Sequence, residues 1–392
     1  MDAKAGAQEK FRTIQQDILS ISHRIHAHPE LGFEEEKACA WLTDALDGAG
    51  FRVQRASCGL DTAFVATSGK GPLHIGICAE YDCLPGIGHA CGHNMIAAMA
   101  LGAAIAASKV ADDAGLTLTV FGTPAEEVGN ASGKILMLEG KAFDGVHAAM
   151  MVHPAPVEML EGHLIAASMF EVHYTGKEAH ASAFPEMGIN AADALTVAQT
   201  AIGLLRQHIR QTDRVHGIVT HGGDAPNVVP ARTSARYLVR AENLEELTDV
   251  RAKVYRCFEA GATATGAKLE IRGGDKPYAD VKYEQEIGLL YKSNAEALGR
   301  TFPPMTPMMQ RMAASTDMGN VSHVIPSIHP MIGINSLPAA NHQPEFTAHC
   351  VTSDADNAVL DGALAMAWTA IDIAQNPALR ERLTRRSPGL SA

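Results

Sequence analysis

The stretch Gly88-His89-Ala90-Cys91-Gly92-His93-Asn94 lies between an apolar run, 74–79, and an alanine-rich run, 95–110. The apolar run is predicted as a strand and the alanine-rich run as a helix, so the stretch is a loop at the carboxyl end of a strand. Cys91 and His93 are soft metal ligands, and the single glycine between them lets the backbone bend tightly enough for both side chains to converge. The stretch therefore predicts an α/β unit with metal ligands at its edge.

Strands and helices alternate outward from this loop. The predicted helices are 9–28, 34–49, 95–110 and 131–139, and the predicted strands are 73–78, 116–122 and 145–152. This alternation is typical of a doubly wound, mostly parallel sheet with helices on both faces. Ligands of such sheets come from the loops at the carboxyl ends of the strands. The fold class is therefore predicted to be α/β.

The pattern changes after residue 164. Strands are predicted at 167–175, 215–220, 234–241 and 268–272, and helices at 190–211 and 244–265. This β-α-β-β-α-β order is that of a ferredoxin-like α+β domain. We expect a first domain formed by 1–164 and 280–392, with a second domain inserted at 165–279. The second part of the first domain includes predicted helices at 283–298 and 353–375, a Pro- and Met-rich stretch at 302–312, and a frayed tail after Pro377.

Length and charge exclude several classes of protein. The chain has 392 residues, 46% hydrophobic and 19% charged, which is enough for two domains with large cores. Its 32 basic and 44 acidic residues give a net charge of −12. Binding to a phosphate backbone needs clustered Lys and Arg, so nucleic acid is not an expected partner.

The cysteines and the apolar runs indicate the cellular compartment in which the protein is expected. Seven cysteines are scattered without framework spacing, and residues 1–25 lack the apolar core of a signal peptide. No segment reaches the roughly 18 uninterrupted apolar residues of a membrane span. We expect a soluble cytoplasmic protein with no membrane partner.

Further candidate ligands follow the other predicted strands. Glu126 and Glu127 follow the second strand, His153 follows the third, and His342 lies in a later loop. One of two adjacent carboxylates can ligate a metal while the other takes a proton from water. Each residue is a weak signal alone, but with the Cys91 loop they make an unlikely coincidence of ligand-type side chains after the strands of one sheet, which indicates a metal site.

Several motifs along the chain resemble one family. The matching stretches are His26-Ala27-His28-Pro29-Glu30-Leu31-Gly32-Phe33-Glu34-Glu35, 79–94, Pro124-Ala125-Glu126-Glu127, Val152-His153-Pro154, Gly176-Lys177-Glu178-Ala179-His180-Ala181-Ser182 and Asn227-Val228-Val229-Pro230. They resemble the dinuclear-metal amidohydrolases and exopeptidases related to aminoacylase, hippurate hydrolase and carboxypeptidase G, which form peptidase family M20. Glu80-Tyr81-Asp82 together with Cys91-Gly92-His93-Asn94 is most similar to the branch of p-aminobenzoyl-glutamate hydrolase and β-alanyl-lysine dipeptidase.

The resemblance implies a site and a reaction. It implies two divalent ions per chain, zinc or manganese with cobalt also compatible. The ligands that it implies are Cys91, His93, Glu127, His153 and His342. Glu126 is implied as the general base for hydrolysis of an amide or peptide bond in a small N-acyl amino acid or dipeptide, aminobenzoyl-glutamate-like or β-alanyl-dipeptide-like. Asp82 is expected to orient a ligand imidazole, and Glu80 stays unassigned because relatives with His there use it as a ligand.

The inserted domain carries the remaining candidates. In the family the histidine that matches His180 reaches into the site of a partner subunit, where it stabilises the oxyanion. The resemblance therefore implies that 1–164 and 280–392 form the catalytic domain, and that the inserted domain at 165–279 is a lid and dimerisation domain through which the protein forms a homodimer. Asn227 and Arg240 are candidates for binding a substrate carbonyl or carboxylate. Arg232 remains an alternative to Arg240 because spacing does not decide between them.

Two other functional classes stay open from the sequence. The first is a metal-free cysteine hydrolase with Cys91 as nucleophile and His93 as its base, although no third orienting group is evident. The second is a dimeric small-molecule binding protein of the same fold that has lost turnover, against which Glu126 argues.

Overall fold

A computed structural model describes residues 2–304, 306, 309 and 313–385. Its helices are α1 (Ala3–Arg12), α2 (Gln15–Ala27), α3 (Glu36–Gly48), α4 (His93–Ser108), α5 (Ala111–Ala114), α6 (Gly133–Glu139), α7 (Ala191–Leu205), α8 (Leu244–Thr265), α9 (Gln285–Ala297), α10 (Met318–Val324), α11 (Pro344–His349), α12 (Ser353–Gln375) and α13 (Pro377–Arg385). Its strands are β1 (Arg52–Arg55), β2 (Phe64–Gly69), β3 (Leu73–Ala79), β4 (Leu116–Gly122), β5 (Ala148–Met150), β6 (His153–Ala155), β7 (His163–Leu164), β8 (Ala166–Thr175), β9 (Arg214–His221), β10 (Arg232–Ala241), β11 (Lys268–Gly273), β12 (Ala313–Ala314), β13 (Ser327–Ile328) and β14 (Met331–Gly333). Positions 305, 307, 308 and 310–312 of the Pro- and Met-rich stretch lie outside the described residues.

The chain divides into two compact units. Unit 1 comprises Met1–Val128, Ser132–His163 and Val281–Ala392, and unit 2 comprises Gly129–Ala131 and Leu164–Asp280. Within the described residues, none of the helices has the length and apolar composition that crossing a membrane requires.

A six-stranded sheet forms the centre of unit 1, in the order β1-β2-β4-β3-β5-β13. The four strands β4, β3, β5 and β13 run parallel to one another, whereas β2 pairs antiparallel with β4 and β1 pairs antiparallel with β2. β3 is an almost continuous buried apolar run, as expected for a strand covered on both faces. The predicted α/β class with a mostly parallel sheet is confirmed.

The antiparallel edge was not predicted. β1 has the sequence Arg-Val-Gln-Arg and is largely exposed, so it shows no apolar alternation. Such a strand is defined by its pairing with β2 rather than by its own residues.

The ligand loop leads directly into the central helix of unit 1. α4 begins at His93, and its residues are buried through Ala107, so it is a core helix that is apolar all round. Its small side chains allow close packing, because a Cβ at Gly102 would lie 3.0 Å from the Cβ of Ala363 on α12. The loop therefore leads into a helix that is buried along almost its whole length.

Two predictions at the chain ends are wrong. The single helix expected at 9–28 is two helices, because α1 ends where the Thr13 hydroxyl donates to the Lys10 carbonyl at 2.7 Å. The tail after Pro377 is not frayed in its described part. It forms α13, which buries Leu379 and Leu383.

Unit 2 is the predicted ferredoxin-like sandwich. Its four strands are all antiparallel, in the order β11-β8-β10-β9, and α7 and α8 cover the sheet. Aromatic rings form its core, with Phe170 of β8 paired in register with Tyr237 of β10. β9 is one of the two edge strands, and its side chains Ile218 and Val219 are 63% and 49% exposed.

Candidate metal centre

The Cys91 loop can form only because Gly92 has no side chain. Gly92 has φ +84°, and a Cβ there would lie 2.4 Å from Cγ of Pro154. This close approach brings Cys91 next to the start of β6, where Cys91 Sγ lies 3.4 Å from Nε2 of His153. Cys91 and His93 are both buried. The convergence predicted from the sequence is therefore present.

The five predicted ligands lie together in two groups. In the first group the donor atoms of Cys91, His93 and His153 all lie within 4.8 Å of one another. In the second group the same holds for Cys91, Glu127 and His342. Because Cys91 belongs to both, the two groups adjoin at one sulfur atom.

Unpaired polar atoms indicate that this cluster suits cations. His93 Nε2 and Glu127 Oε1 are buried and have no hydrogen-bond partner among the described residues. A buried polar atom left unpaired costs roughly 1–3 kcal/mol, so such atoms are uncommon unless a ligand satisfies them. Sulfur, imidazole and carboxylate donors are those that zinc and related divalent ions prefer. The residues therefore fit a pair of divalent ions.

Asp82 orients two of these residues. Its Oδ1 lies 2.9 Å from Nδ1 of His93, and its Oδ2 accepts the backbone N–H of Glu127 at 2.9 Å. The first contact leaves Nε2 of His93 directed into the cluster, as is usual for a ligand imidazole held by a carboxylate. Asp82 thus contacts one residue from each of the two groups.

Glu126 and Glu127 lie in a 3₁₀ turn that follows β4. The turn starts from an uncommon conformation, since Ala125 has φ +61° and its N–H donates to Oε1 of the buried Glu35 at 2.8 Å. Glu126 Oε2 lies 3.9 Å from Nε2 of His93. Burial, followed by the negative charges of Glu80 and Glu127, raises the pKa of Glu126 well above its usual value. A carboxyl group with a raised pKa is suited to accept a proton near neutral pH.

The environment of Cys91 does not suit a thiol nucleophile. Burial raises the pKa of the Cys91 thiol, which is opposite to the change that activates a nucleophilic cysteine. Burial lowers the pKa of His153 to about 4, so its imidazole is neutral and able to ligate. The metal-free cysteine hydrolase is therefore not supported by the environment of Cys91.

His342 reaches the cluster from a distant part of the chain. Its backbone N–H donates to the carbonyl of Ala90 at 2.9 Å, and the neighbouring Asn341 side chain donates to Pro154 O at 3.1 Å. These bonds fix the His342 loop beside the Cys91 loop. Nε2 of His342 lies 3.4 Å from Oε1 of Glu127, and its side chain is 57% exposed. His342 is therefore the donor on the solvent side.

Three charged residues next to the cluster were not assigned from the sequence. Glu80, Lys134 and Asp317 are completely buried, and the Lys134 ammonium lies 2.5 Å from a carboxylate oxygen of each of the other two. A lysine among small and apolar residues is the only sequence signal for this triad, and it does not reveal the partners. His329 was also missed, and its ring stacks on that of His153 at 5.5 Å.

The candidate site residues of unit 2 lie at two separate positions. His180 and Asn227 are exposed on adjacent loops, joined by a hydrogen bond from the Ala181 N–H to the Asn227 carbonyl at 3.0 Å. Arg232 begins β10 near these loops, whereas Arg240 lies eight residues further along the strand, about 26 Å away in an extended chain. Arg240 therefore lies toward the opposite end of β10 from the loops that carry His180 and Asn227.

The chain is similar to known proteins both within unit 2 and over most of its length. A family model described as a peptidase dimerisation domain matches residues 166–265. The chain is 36% identical over 393 residues to the Xaa-Arg dipeptidase of Mus musculus, which covers 96% of this chain and 90% of that protein. It is 34% identical over 279 residues to a subunit of the p-aminobenzoyl-glutamate hydrolase of Escherichia coli, covering 66% of this chain and 58% of that one.

A solved structure has the same fold. It is that of a dinuclear metal binding peptidase from the M20 family of Bacillus subtilis, with a TM-score of 0.67 and 22% identity. The match covers 93% of this chain and 99% of that chain.

Proposed function

The chain belongs to the M20 family of metallopeptidases and is a metal-dependent hydrolase of small amide or dipeptide substrates, and we propose that Glu126 is its general base. We further propose that two divalent ions would be held here, one by Cys91, His93 and His153 and the other by Cys91, Glu127 and His342. The observation that carries this assignment is the pair of donor groups that share Cys91.

The bound ions and the protein side chains would have different roles in the reaction. When bound, two divalent ions lower the pKa of water and polarise the carbonyl of the scissile amide. Glu126 takes the proton of the attacking water and delivers it to the leaving nitrogen. Asp82 holds the imidazole of His93 and the backbone of Glu127, so both donor groups keep their geometry while the proton moves.

The substrate is proposed from the relatives and from charge. A dipeptide that ends in a basic residue, such as β-alanyl-lysine or an Xaa-Arg dipeptide, is one class, and p-aminobenzoyl-glutamate is the other. The net charge of −12 favours the approach of a basic dipeptide over that of a dianion. We therefore place the basic dipeptide first. Zinc or manganese is the proposed ion, and cobalt fits the same donors.

We propose that the protein is a homodimer in which unit 2 of each chain contacts its partner. The exposed edge strand β9 has unpaired backbone groups and the exposed side chains Ile218 and Val219, so it is suited to pair with a second copy. A dimer would also allow His180 and Asn227 of one chain to act with Arg240 of the other. Ile218→Lys is expected to shift the protein from dimer to monomer in sedimentation velocity, and a wild-type monomer would contradict the proposal.

The role of Glu126 is tested by Glu126→Gln. This variant keeps the shape of the side chain but cannot accept the proton, so kcat is expected to fall roughly 100-fold or more while the metal content is retained. The exposed Glu36→Gln is the control, and both are assayed on a panel of basic dipeptides and p-aminobenzoyl-glutamate. Turnover by Glu126→Gln comparable to that of the wild type would rule out the assignment of the base.

A further inference from the structure

Lys134 is a buried cation beside the proposed metal centre. It is the second residue of α6, and its ammonium lies 2.5 Å from Oε1 of Glu80 and 2.5 Å from Oδ1 of Asp317. Burial lowers the pKa of Lys134, but the charges of Asp317 and Glu80 outweigh this effect and raise it, so the side chain remains charged. The group is thus a fixed positive charge within the core of unit 1.

The two carboxylates depend on Lys134 to different degrees. Asp317 is anchored without the ammonium, because its Oδ2 accepts the Ser132 hydroxyl at 2.7 Å and the Lys134 backbone N–H at 3.1 Å. Glu80 has no such anchor. Among the described residues, the Lys134 ammonium is the group that hydrogen-bonds to its side chain. Removing the ammonium would therefore release Glu80 and leave Asp317 in place.

The second oxygen of Glu80 faces the metal ligands. Oε2 is buried without a hydrogen-bond partner in the described part of the chain, and it lies 3.4 Å from Nε2 of His93. Donor atoms of Glu80, His93 and Glu126 all lie within 4.8 Å of one another. As held, Oε2 is thus already within range of an ion bound by His93, and the pairing of Oε1 with the Lys134 ammonium keeps the negative charge of the carboxylate away from that ion. A carboxylate without this partner could bind the same ion as His93. A catalytic metal site needs an open position for water, so such a ligand would block it.

We propose that Lys134 is a positioning residue, anchored by Asp317, that holds Glu80 beside the metal centre and prevents this carboxylate from becoming a metal ligand. This proposal rests on the proposed function, since it requires that His93 binds a divalent ion. It assigns to Glu80 the role of a restrained neighbour and not of a ligand. The fixed ammonium also offsets one of the negative charges that gather around the site.

The test compares Lys134→Met, Glu80→Gln and the double variant with the wild type. For each protein we would measure metal content, kcat and KM, and the visible absorption of the cobalt-substituted form. Lys134→Met is expected to retain its metal and to lose roughly 10- to 100-fold in kcat with little change in KM. Its cobalt spectrum should change, because Glu80 enters the coordination shell.

The double variant distinguishes a positioning role of Lys134 from a purely structural one. A neutral amide is a poor ligand, so the double variant is expected to regain most of the lost kcat and the wild-type cobalt spectrum. A lysine that only supports the fold predicts the opposite, namely an unchanged spectrum in Lys134→Met and no recovery in the double variant. That result would overturn the proposal.

Glu80→Gln alone keeps the proposal testable even if Lys134→Met does not fold. With Lys134 present, this substitution should leave the metal content and the cobalt spectrum unchanged. Loss of an ion or a changed spectrum would identify Glu80 as a ligand and overturn the proposal. Absence of metal from the wild type would instead contradict the proposed function, so the two failures are distinguishable.

Discussion

At the scale of single residues, Asp82 connects the two donor groups. It lies three positions after β3 and contacts both the ring of His93 and the backbone of Glu127. An acceptor-only carboxylate can serve both donors at once, whereas an asparagine offers one oxygen and one N–H group. Asp82→Asn should therefore be able to keep only one of these two contacts.

We expect Asp82→Asn to weaken metal affinity by roughly 10- to 100-fold, because the imidazole of His93 loses its fixed orientation. Competition with a chromophoric chelator measures this affinity. The exposed Asp224→Asn in unit 2 is the control. Wild-type affinity in Asp82→Asn would show that the contacts of Asp82 do not hold the ligands.

The sequence indicated those site residues whose type and position after a strand can be recognised within a short stretch of chain. Cys91 and His93 are one residue apart, and Glu126 and Glu127 are adjacent, so their types and positions after strands were visible. The structure brings them close to His153 and His342, and their ligand roles remain proposals. The partners of Lys134 were not predictable, because Glu80 and Asp317 come together only through the tertiary fold.

At the scale of elements, the turn from the ligand loop into α4 depends on Gly92. It needs both a positive φ and the space of a missing Cβ, which Pro154 would otherwise contact. Gly86 in the preceding loop also has a positive φ, +77°, but a Cβ there would meet nothing within 4 Å. Alanine substitutions at the two glycines therefore form a matched pair. Both introduce backbone strain, but only the substitution at Gly92 also introduces steric overlap.

Gly92→Ala is expected to be less stable than Gly86→Ala by roughly 1–3 kcal/mol, the usual cost of forcing an extra carbon into a packed site. It should also lose metal, because Cys91 and His93 flank the altered position. Urea denaturation gives the difference in stability, and elemental analysis gives the metal content. Equal stability of the two variants would mean that contact with Pro154 does not constrain the loop.

Elements with a strong apolar pattern were predicted closely, and the others were not. The predicted strand 116–122 and helix 353–375 coincide with β4 and α12, because both are long apolar patterns that are buried in the fold. The exposed β1 has no such pattern. The break between α1 and α2 was invisible because apolar residues recur at helical spacing on both sides of it.

At the scale of the whole molecule, acid is expected to destabilise the fold through buried neutral histidines. Burial lowers the pKa of His74 to about 4, and its Nε2 lies 2.7 Å from Oγ1 of Thr119 on the neighbouring strand. The unfolded chain binds a proton there near pH 6.5, which the folded chain does not. This contribution to stability is therefore complete above about pH 6.5 and is lost as the pH falls toward about 4.

The melting temperature should therefore fall between about pH 6.5 and about pH 4, and His74→Gln should reduce this fall because glutamine does not titrate. Thermal unfolding followed by circular dichroism at several pH values measures the effect. His208→Gln, on the exposed surface of unit 2, is the control for loss of a histidine. The same pH dependence in His74→Gln and wild type would show that His74 makes no such contribution.

The most direct test of the metal centre is the metal content per chain, measured by elemental analysis on protein purified without chelator. The wild type is expected to hold about two divalent ions. Cys91→Ala should hold clearly fewer, because Cys91 belongs to both donor groups, while the control Cys83→Ala, at another buried cysteine, should keep both. No metal in the wild type after reconstitution, or an unchanged content in Cys91→Ala, would contradict a dinuclear centre joined by Cys91.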